Sequence, residues 1–242
     1  RLIRSSSGTA VRAATSLRPI DVLLISHNHY DHLDLRALAR LPGKENIQAI
    51  VPMGVGHTLR DLGYARVKEV TWGEAFTVAP LKITGVPAVH FSGRSLWDRN
   101  EALWAGYAIE TPTQRLYFAG DTGYHASVFK AIGKRYGPFD VAMIPIGAFE
   151  PRKLMSEVHV TPEEAAALGR DVGATAMVGM HWGTIILAQE APFEPPARFR
   201  KEALSLGFTD EALWSLAIGE TRAMGAPQAT ALGAAKQEGQ VR

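Results

Sequence analysis

Four side chains that can bind a metal ion lie within six residues of one another, directly after an apolar segment. They are His27, His29, Asp31 and His32, and the segment before them, Val22–Ser26, is a candidate strand. Imidazole and carboxylate groups are the ligands that zinc and harder divalent cations accept. A lone His-x-His pair would favour a solvated loop. Four ligands in six positions, on a turn that can aim them at one point, predict a metal site.

Three more candidate strands each end in one side chain of the same chemistry. Leu81–Val86 leads to His90, Leu116–Ala119 leads to Asp121, and Ala176–Met180 leads to His181. In α/β folds, sites gather beyond the carboxyl ends of strands, so these residues and the first group are expected to share a pocket. Seven ligands are too many for one tetrahedral ion and suit two ions that share a carboxylate. The set therefore predicts a dinuclear hydrolytic centre.

The composition excludes several other classes of protein. The chain has 242 residues and no cysteine, so it has neither disulfides nor thiolate metal ligands. It contains no run of about 18 apolar residues, so no transmembrane helix is expected. The net charge is only +2, which provides no basic surface for nucleic acid. Alternating candidate strands and helices indicate an α/β domain, and the clearest helix, Pro162–Asp171, has Thr161 as its N-cap.

Three regions of the chain differ in composition. Residues 1–20 are rich in arginine and serine and contain no acid, and they are interpreted as an irregular N-terminal segment. Residues 21–222 form the predicted hydrolase domain. Residues 223–242 are rich in alanine, glycine and glutamine, which predicts a flexible tail. The N-terminal composition is also that of an organelle transit peptide, but the segment lacks a clear amphipathic period, so the irregular segment is preferred. The localisation is left open, with cytoplasmic as the default because no signal peptide is visible.

The ligand spacing and several motifs outside the ligands resemble a known family. His-x-His-x-Asp-His, a lone His, the Asp of Gly-Asp-Thr-Gly and a late His resemble the metallo-β-lactamase superfamily. The segments Glu150–Arg152, His159–Ala165 and His181–Thr184 are similar to the N-acyl-phosphatidylethanolamine-hydrolysing phospholipase D family. The resemblance implies a four-layer αββα sandwich. Its first N-terminal strands are expected to be absent, because only 26 residues precede His27.

The resemblance also implies how the ligands are divided between two metal ions. One ion would be held by His27, His29 and His90, and the second by Asp31, His32 and His181, with Asp121 bridging the two. Zinc is the usual metal of the family, and a set of only His and Asp ligands would also accept manganese or iron. Asp31, Asp121 and His159 are the predicted catalytic residues. For His159, two roles are open: it protonates or positions the substrate, or it steadies its own loop.

The activity that the resemblance implies is a phosphodiesterase of the phospholipase D type. A hydroxide bridging the two metal ions would attack the phosphorus of an N-acyl-phosphatidylethanolamine, releasing phosphatidate and an N-acylethanolamine. Two alternatives are open: a lactonase or small-ester hydrolase on the same scaffold, and a truncated relative that binds metal without turnover. The expected partner is a phospholipid or another phosphodiester. Peripheral contact of the protein with a membrane is compatible with such a substrate. Nucleic acid is not an expected partner, and no oligomeric state is predicted.

Three polar residues near these motifs have two interpretations each. Arg94 and Arg152 either clamp a phosphate or are solvated or paired with a nearby acid. Asp34 either orients a ligand histidine or places a negative charge at a helix N-terminus.

Four further features are interpreted from their neighbours. His125 either faces the pocket or lies in the first turn of a surface helix, and the second interpretation is preferred. His57 is interpreted as a structural residue inside a helix. Trp182 is next to a predicted ligand in the sequence and is expected to form part of the pocket wall. The apolar segment Thr184–Ala188 either admits a lipid chain or is buried, and burial is the preferred interpretation.

Overall fold

Two layered β-sheets, with helices on their outer faces, make up most of the fold, and the described residues include a third sheet of two short strands. The computed structural model describes residues 3–4, 10–11, 19–217 and 219–224. The strands in these residues are β1 (Ile3–Arg4), β2 (Ala10–Val11), β3 (Val22–Leu24), β4 (Gln48–Pro52), β5 (Arg66–Val70), β6 (Ala75–Val78), β7 (Leu81–Val86), β8 (Gly106–Glu110), β9 (Arg115–Phe118), β10 (Phe139–Pro145), β11 (Ala174–Met180) and β12 (Leu213–Trp214). The helices are α1 (Leu35–Ala39), α2 (Gly56–Asp61), α3 (Ala126–Tyr136), α4 (Arg152–Met155), α5 (Pro162–Asp171) and α6 (Pro195–Ser205).

The larger sheet has seven strands in the order β12-β11-β10-β9-β8-β7-β6. Strands β9 to β12 are parallel to one another. Strand β8 pairs antiparallel with both β7 and β9, so β7 points the same way as β9. The smaller sheet contains the parallel strands β3, β4 and β5 in that order. The carboxyl ends of β7, β9, β10 and β11 therefore lie at one edge of the larger sheet.

Three apolar clusters hold the layers together. The first lies between the larger sheet and the helices α3, α5 and α6, and it includes Phe129, Leu168 and Phe199. The second lies between the smaller sheet and the helices α1 and α2. The third joins the two sheets, where Ile50 of β4 and Tyr107 of β8 are both buried. The order helix, sheet, sheet, helix confirms the predicted four-layer αββα sandwich.

Two helices begin at the caps that the sequence indicates. The Thr161 side chain accepts a hydrogen bond from the Glu164 N–H, and the Glu164 carboxylate accepts one from the Thr161 N–H. This capping box satisfies N–H groups that the first turn of α5 leaves without helical partners. Asp34 caps α1 by accepting hydrogen bonds from the N–H groups of Arg36 and Ala37. Of the two interpretations of Asp34, the structure supports the one that places it at a helix N-terminus.

The structure contains elements that sequence patterning did not predict. Strand β5 has the sequence Arg-Val-Lys-Glu-Val, whose charges obscure the apolar pattern, and its parallel pairing with β4 holds it in the sheet. Helix α4 is a single short turn and was also missed. Strand β12 has only two residues, because its pairing with β11 ends at Trp214.

The predicted divisions at the two ends of the chain stay predictions. Strands β1 and β2 pair antiparallel, and the other residues before Pro19 lie outside the described residues. Residues 225–242, which are most of the predicted tail, also lie outside them. Among the helices of the described ranges, none has the length and apolar character needed to cross a membrane.

Candidate metal centre

The seven predicted metal ligands converge at the edge where the strands end. Four of them follow β3 of the smaller sheet, and the other three follow β7, β9 and β11 of the larger sheet. The structure brings their ligand atoms together in two groups, with the atoms of each group within 4.8 Å of one another. The groups are a histidine cluster of His27, His29 and His90, and a mixed cluster of Asp31, His32, Asp121 and His181.

The histidine cluster turns three ring nitrogens toward one point. His27 Nε2 lies 2.9 Å from His29 Nδ1, and His90 Nε2 lies 3.3 Å from the same atom. The far nitrogens have other partners: His27 Nδ1 lies 3.0 Å from Ser26 Oγ, and His90 Nδ1 lies 2.9 Å from the Val158 carbonyl oxygen. Because a carbonyl oxygen only accepts, His90 carries its proton on Nδ1 and directs the lone pair of Nε2 into the cluster. Three converging imidazole nitrogens fit a metal ion.

The mixed cluster places two imidazoles against two carboxylates. His32 Nε2 lies 3.0 Å from Asp121 Oδ2 and 3.2 Å from Asp31 Oδ2. His181 Nε2 lies 3.1 Å from Asp121 Oδ2 and 3.5 Å from Asp31 Oδ2. Asp121 is buried, and its other oxygen, Oδ1, has no hydrogen-bond partner among the described residues. Leaving a carboxylate oxygen buried and unpaired is costly, so this atom fits a site where a cation binds.

The two clusters differ in their protonation. Burial and, after it, the charge of the neighbouring His32 lower the pKa of His27 to about 2. Burial also lowers the pKa of His90 to about 3. Burial also disfavours the charged forms of His32 and His181. Hydrogen bonds to Asp121 and Asp31 outweigh it, raising the pKa of His32 to about 9 and that of His181 to about 10. The histidine cluster therefore offers neutral ligands at pH 7, whereas the mixed cluster holds protons that a metal ion would displace.

Arg94 braces the loop that carries four of the ligands. Its Nη1 donates to the Asn28 carbonyl at 2.8 Å and to the Leu33 carbonyl at 3.0 Å. Its guanidinium also lies 4.1 Å from the centre of the Tyr30 ring. The Asn28 side chain in turn accepts a hydrogen bond from the Gly93 N–H at 2.7 Å. In the structure Arg94 therefore holds the ligand loop, a role that neither of its two interpretations had included.

Two hydrogen bonds join the Asp121 loop to the His90 loop. Thr122 Oγ1 accepts from the Val89 N–H at 2.8 Å, and the Gly123 N–H donates to the Val89 carbonyl at 2.7 Å. Thr122 is fully buried. Sequence reasoning singled out only Asp121 in the Gly-Asp-Thr-Gly motif. Thr122 is therefore also a positioning residue, and the signal that could have identified it is its hydroxyl group directly after Asp121.

His181 has an unusual backbone conformation. Its φ is +61°, in the left-handed region that residues other than glycine seldom adopt. Gly147 lies so close that a Cβ added there would be 2.2 Å from the His181 carbonyl oxygen. Ala148 also has a positive φ, +63°, and its N–H donates to the Glu190 carboxylate at 2.6 Å. Such conformations persist where surrounding packing enforces them, and they cluster at functional sites.

His159 lies beside both clusters. Its ring centre is 5.3 Å from that of His90 and 5.6 Å from that of His181. Its carbonyl accepts a hydrogen bond from Arg152 at 2.8 Å, and Arg152 also pairs with Glu164 at 3.0 Å. The Nδ1 atom of His159 is buried and has no hydrogen-bond partner among the described residues. Arg152 thus pairs with an acid, as one of its interpretations held, and it fixes the backbone that presents the His159 ring.

A comparison with protein families agrees with this geometry. The family model described as the Beta-lactamase superfamily domain matches residues 4–182. The chain belongs to the beta-lactamase superfamily. The match covers all seven residues of the two clusters, from His27 to His181.

Relatives and solved structures within this superfamily extend the comparison. An uncharacterized protein of Mycobacterium tuberculosis is 43% identical over 188 residues, which cover 76% of this chain and 50% of the relative. The N-acyl-phosphatidylethanolamine-hydrolyzing phospholipase D 1 of Caenorhabditis elegans is 37% identical over 198 residues, which cover 78% of this chain and 56% of the relative. The second similarity confirms the resemblance that the motifs indicated. A metallo hydrolase of the archaeon Ignicoccus hospitalis has a TM-score of 0.64 at 24% identity, covering 83% of this chain and 77% of that structure. The chain spans about half the length of the curated relatives it matches.

Other residues singled out in the sequence lie outside the clusters of this superfamily member. His125 is exposed at the start of α3, with Nδ1 2.9 Å from Ser127 Oγ, and His57 is exposed on α2. Trp182 packs against the core cluster of the larger sheet. The preferred interpretation of residues 184–188 was wrong, because the side chains of Ile185, Ile186 and Leu187 are exposed.

A cleft of about 440 Å³ opens above the two clusters. Metal-cluster residues, including Asp121 and His181, line one part of it, and His159 lies beside them. Leu154, Met155 and Leu187 form an apolar wall. The volume is within the range of small-molecule sites. The cleft can therefore accept a molecule that has a polar group at the clusters and an apolar portion along the wall.

Proposed function

We propose that this chain carries a metal-dependent phosphodiesterase of the phospholipase D type. Its substrates would be N-acyl-phosphatidylethanolamine-like lipids, and its products phosphatidate and an N-acylethanolamine. The observation that carries the proposal is the pair of adjacent clusters, with the buried Asp121 presenting one paired and one unpaired oxygen. The similarity to the Caenorhabditis elegans phospholipase D supports the choice of a phosphodiester. The apolar wall of the cleft is consistent with a lipid.

Two zinc ions are proposed as the cofactor, with manganese or iron as alternatives that the ligand set would accept. His27, His29 and His90 would hold one ion, and Asp31, His32 and His181 would hold the other, with Asp121 between them. When bound, such a pair supplies an activated water and neutralises negative charge on a phosphate group. The lone pair that His90 directs inward and the unpaired Asp121 Oδ1 support this assignment.

The other proposed roles in the reaction are assigned to side chains of the chain itself. Asp31 and Asp121 set the charge of the site by placing two carboxylates within 3.5 Å of the same two imidazoles. His159 is proposed to donate a proton or hydrogen bond to the leaving oxygen, because its ring is beside both clusters and the residue lines the cleft. Leu154 and Leu187 would orient the apolar part of the substrate.

The test combines metal analysis with a substrate panel. Elemental analysis of protein prepared without chelator is expected to find about two equivalents of metal. Metal-loaded protein is then offered N-acyl-phosphatidylethanolamine in detergent, bis(p-nitrophenyl) phosphate and several lactones. Asp121→Asn is expected to lower phosphodiester turnover by at least about 1000-fold. Asp61→Asn, which changes an exposed carboxylate at the end of α2, is the matched control and should leave turnover unchanged.

Each contrary outcome has a distinct meaning. Protein without bound metal would remove the proposed chemistry. Turnover of lactones without turnover of phosphodiesters would establish the lactonase alternative. Bound metal with no turnover of any substrate would show a metal-binding relative without activity.

A further inference from the structure

One carboxylate attaches the chain after β11 to the chain after β10. Glu190 accepts hydrogen bonds from the Ala148 N–H at 2.6 Å and from the Glu150 N–H at 3.1 Å, across 42 and 40 positions of sequence. Beside them, the Gln189 N–H donates to the Glu150 carbonyl at 3.2 Å. Hydrogen bonds to an ionised acceptor are shorter and stronger than those between neutral groups. The two stretches of chain are therefore attached to each other through the backbone of one and the carboxylate of the other.

The same two stretches are joined a second time, beside the mixed cluster. The Ile146 N–H donates to the Met180 carbonyl at 2.9 Å. Gly147 then packs so closely on the His181 carbonyl that it leaves no room for a Cβ. Residues 181–190 thus form a loop that is attached at both ends. Because the loop begins with a predicted metal ligand, fixing its far end also fixes the backbone that presents the His181 ring.

The stretch after β10 also supports His159. The Glu150 carboxylate accepts a hydrogen bond from the Arg152 N–H at 3.0 Å, and Arg152 Nη1 donates to the His159 carbonyl at 2.8 Å. The Glu150 N–H is one of the two groups that Glu190 binds. A single carboxylate therefore holds the stretch of backbone against which both His181 and His159 are supported.

The contacts of Glu190 require a carboxylate. Its Oε1 accepts from Ala148 and its Oε2 accepts from Glu150, so both oxygens are used. A glutamine of the same shape has one acceptor oxygen, and its NH₂ group would face the second N–H donor. Ala148 is buried and has a φ of +63°. An N–H left unpaired in a buried segment is costly, so the backbone would have to shift.

We propose that Glu190 is a positioning residue of the metal centre: its carboxylate fixes residues 146–150 and thereby keeps His181 in the mixed cluster. Glu190 belongs to neither of the two clusters, so it acts through His181 and not as a ligand. The inference rests on the proposed function, since it takes the clusters to hold metal ions.

The experiment compares two glutamate-to-glutamine variants that lose the same kind of contact. Glu69→Gln is the matched control, because Glu69 also accepts from two backbone N–H groups, those of Gly54 at 2.8 Å and Gly56 at 3.1 Å. Glu69 belongs to neither cluster and does not line the cleft in the described part of the chain. Both variants are expected to unfold at a lower urea concentration than the wild type. In a titration of zinc against a chromophoric chelator, only Glu190→Gln is expected to weaken one of the two binding steps, by about 10–100-fold.

The zinc titration distinguishes a positioning role from a purely structural one. A folded Glu190→Gln protein that binds both ions with wild-type affinity would overturn the proposal. Equal weakening of both zinc steps, or the same loss in Glu69→Gln, would overturn it as well. If Glu190→Gln is not folded by circular dichroism, Glu190→Asp, which keeps the charge on a shorter side chain, is measured by the same criteria.

Turnover of bis(p-nitrophenyl) phosphate is followed in the same samples at saturating zinc. The zinc titration needs no substrate, so the two proposals can fail separately. Selective loss of one zinc step, with no phosphodiester turnover by the wild type, would overturn the proposed activity and leave the role of Glu190 standing. A wild type that binds no zinc would overturn both.

Discussion

Replacing Gly147 by alanine is expected to weaken one metal cluster and spare the other. A Cβ at this position would lie 2.2 Å from the His181 carbonyl oxygen, 3.2 Å from the His181 carbonyl carbon and 3.3 Å from the Trp182 Cα. All three atoms belong to the backbone, so no side-chain rotation can relieve the contact. The loop carrying His181, whose φ of +61° is already uncommon, must move instead.

The required movement can be compared with the tolerance of a metal site. Restoring an ordinary carbon–oxygen contact needs a shift of roughly 1 Å. Metal–ligand distances tolerate about 0.2 Å, so His181 would no longer meet the mixed cluster in a suitable position. Mutating a residue that positions a metal ligand typically lowers the metal affinity by about 10–100-fold. This corresponds to about 1.4–2.8 kcal/mol of binding free energy. The histidine cluster has no residue on this loop and is expected to keep its affinity.

The assay is a competition titration of zinc against a chromophoric chelator, with circular dichroism to check folding. Gly179→Ala is the matched control, because its added Cβ would meet chiefly the end of the Ile146 side chain, which can move. It should bind both ions as the wild type does. A folded Gly147→Ala protein that binds two ions with wild-type affinity would refute the idea that Gly147 positions His181.

Three other predictions follow from the same contacts. Arg94→Met leaves the Asn28 and Leu33 carbonyls without their donor, and it should lower the free energy of unfolding by about 1–3 kcal/mol in urea titrations, whereas Arg66→Met on an exposed position should not. Thr161→Ala removes the cap of α5 and should cost about 1 kcal/mol by the same measurement, with Thr161→Ser nearly neutral. The pKa values of His32 and His181 are raised by their hydrogen bonds to Asp121 and Asp31, so zinc binding to the mixed cluster at pH 7 should release protons and should tighten as the pH rises. Calorimetry in buffers of different ionisation enthalpy measures the release, and a value of zero contradicts the assignment.

The grouping of the seven proposed ligands could be predicted from the sequence because their chemistry and their position coincide. His90, Asp121 and His181 each follow a short apolar strand, and the carboxyl ends of parallel strands meet at one edge. Residue type and strand polarity therefore sufficed to group side chains that are up to 154 positions apart in the chain, from His27 to His181. The capping box of α5 was predictable for a similar reason, since all of its partners are local.

The supporting residues could not be predicted, because their roles depend on contacts between distant segments. Gly147 is important only because the His181 carbonyl packs against it, and a glycine after a strand is otherwise unremarkable in sequence. Arg94 binds carbonyl groups that are more than 60 positions away. The exposure of Ile185 and Ile186 contradicted a rule of thumb, since apolar residues are usually buried. Strand β5 forms through its pairing with β4, against the charged character of its own sequence.

The geometry of the metal centre depends on a junction between the two sheets. Four of the proposed ligands follow β3 in the smaller sheet and three follow strands of the larger sheet, so neither sheet holds a complete cluster. The junction lies immediately before His27: the buried Tyr107 hydroxyl of β8 donates to the Ile25 carbonyl at 2.7 Å, and the Ala105 N–H donates to the Ser26 carbonyl at 2.8 Å. Because these bonds tie the larger sheet to the backbone that leads into the ligand loop, the distances within both clusters are set by how the sheets pack. The sandwich is therefore part of the site, and a variant that loosens the packing around Tyr107 would separate ligands that it does not touch.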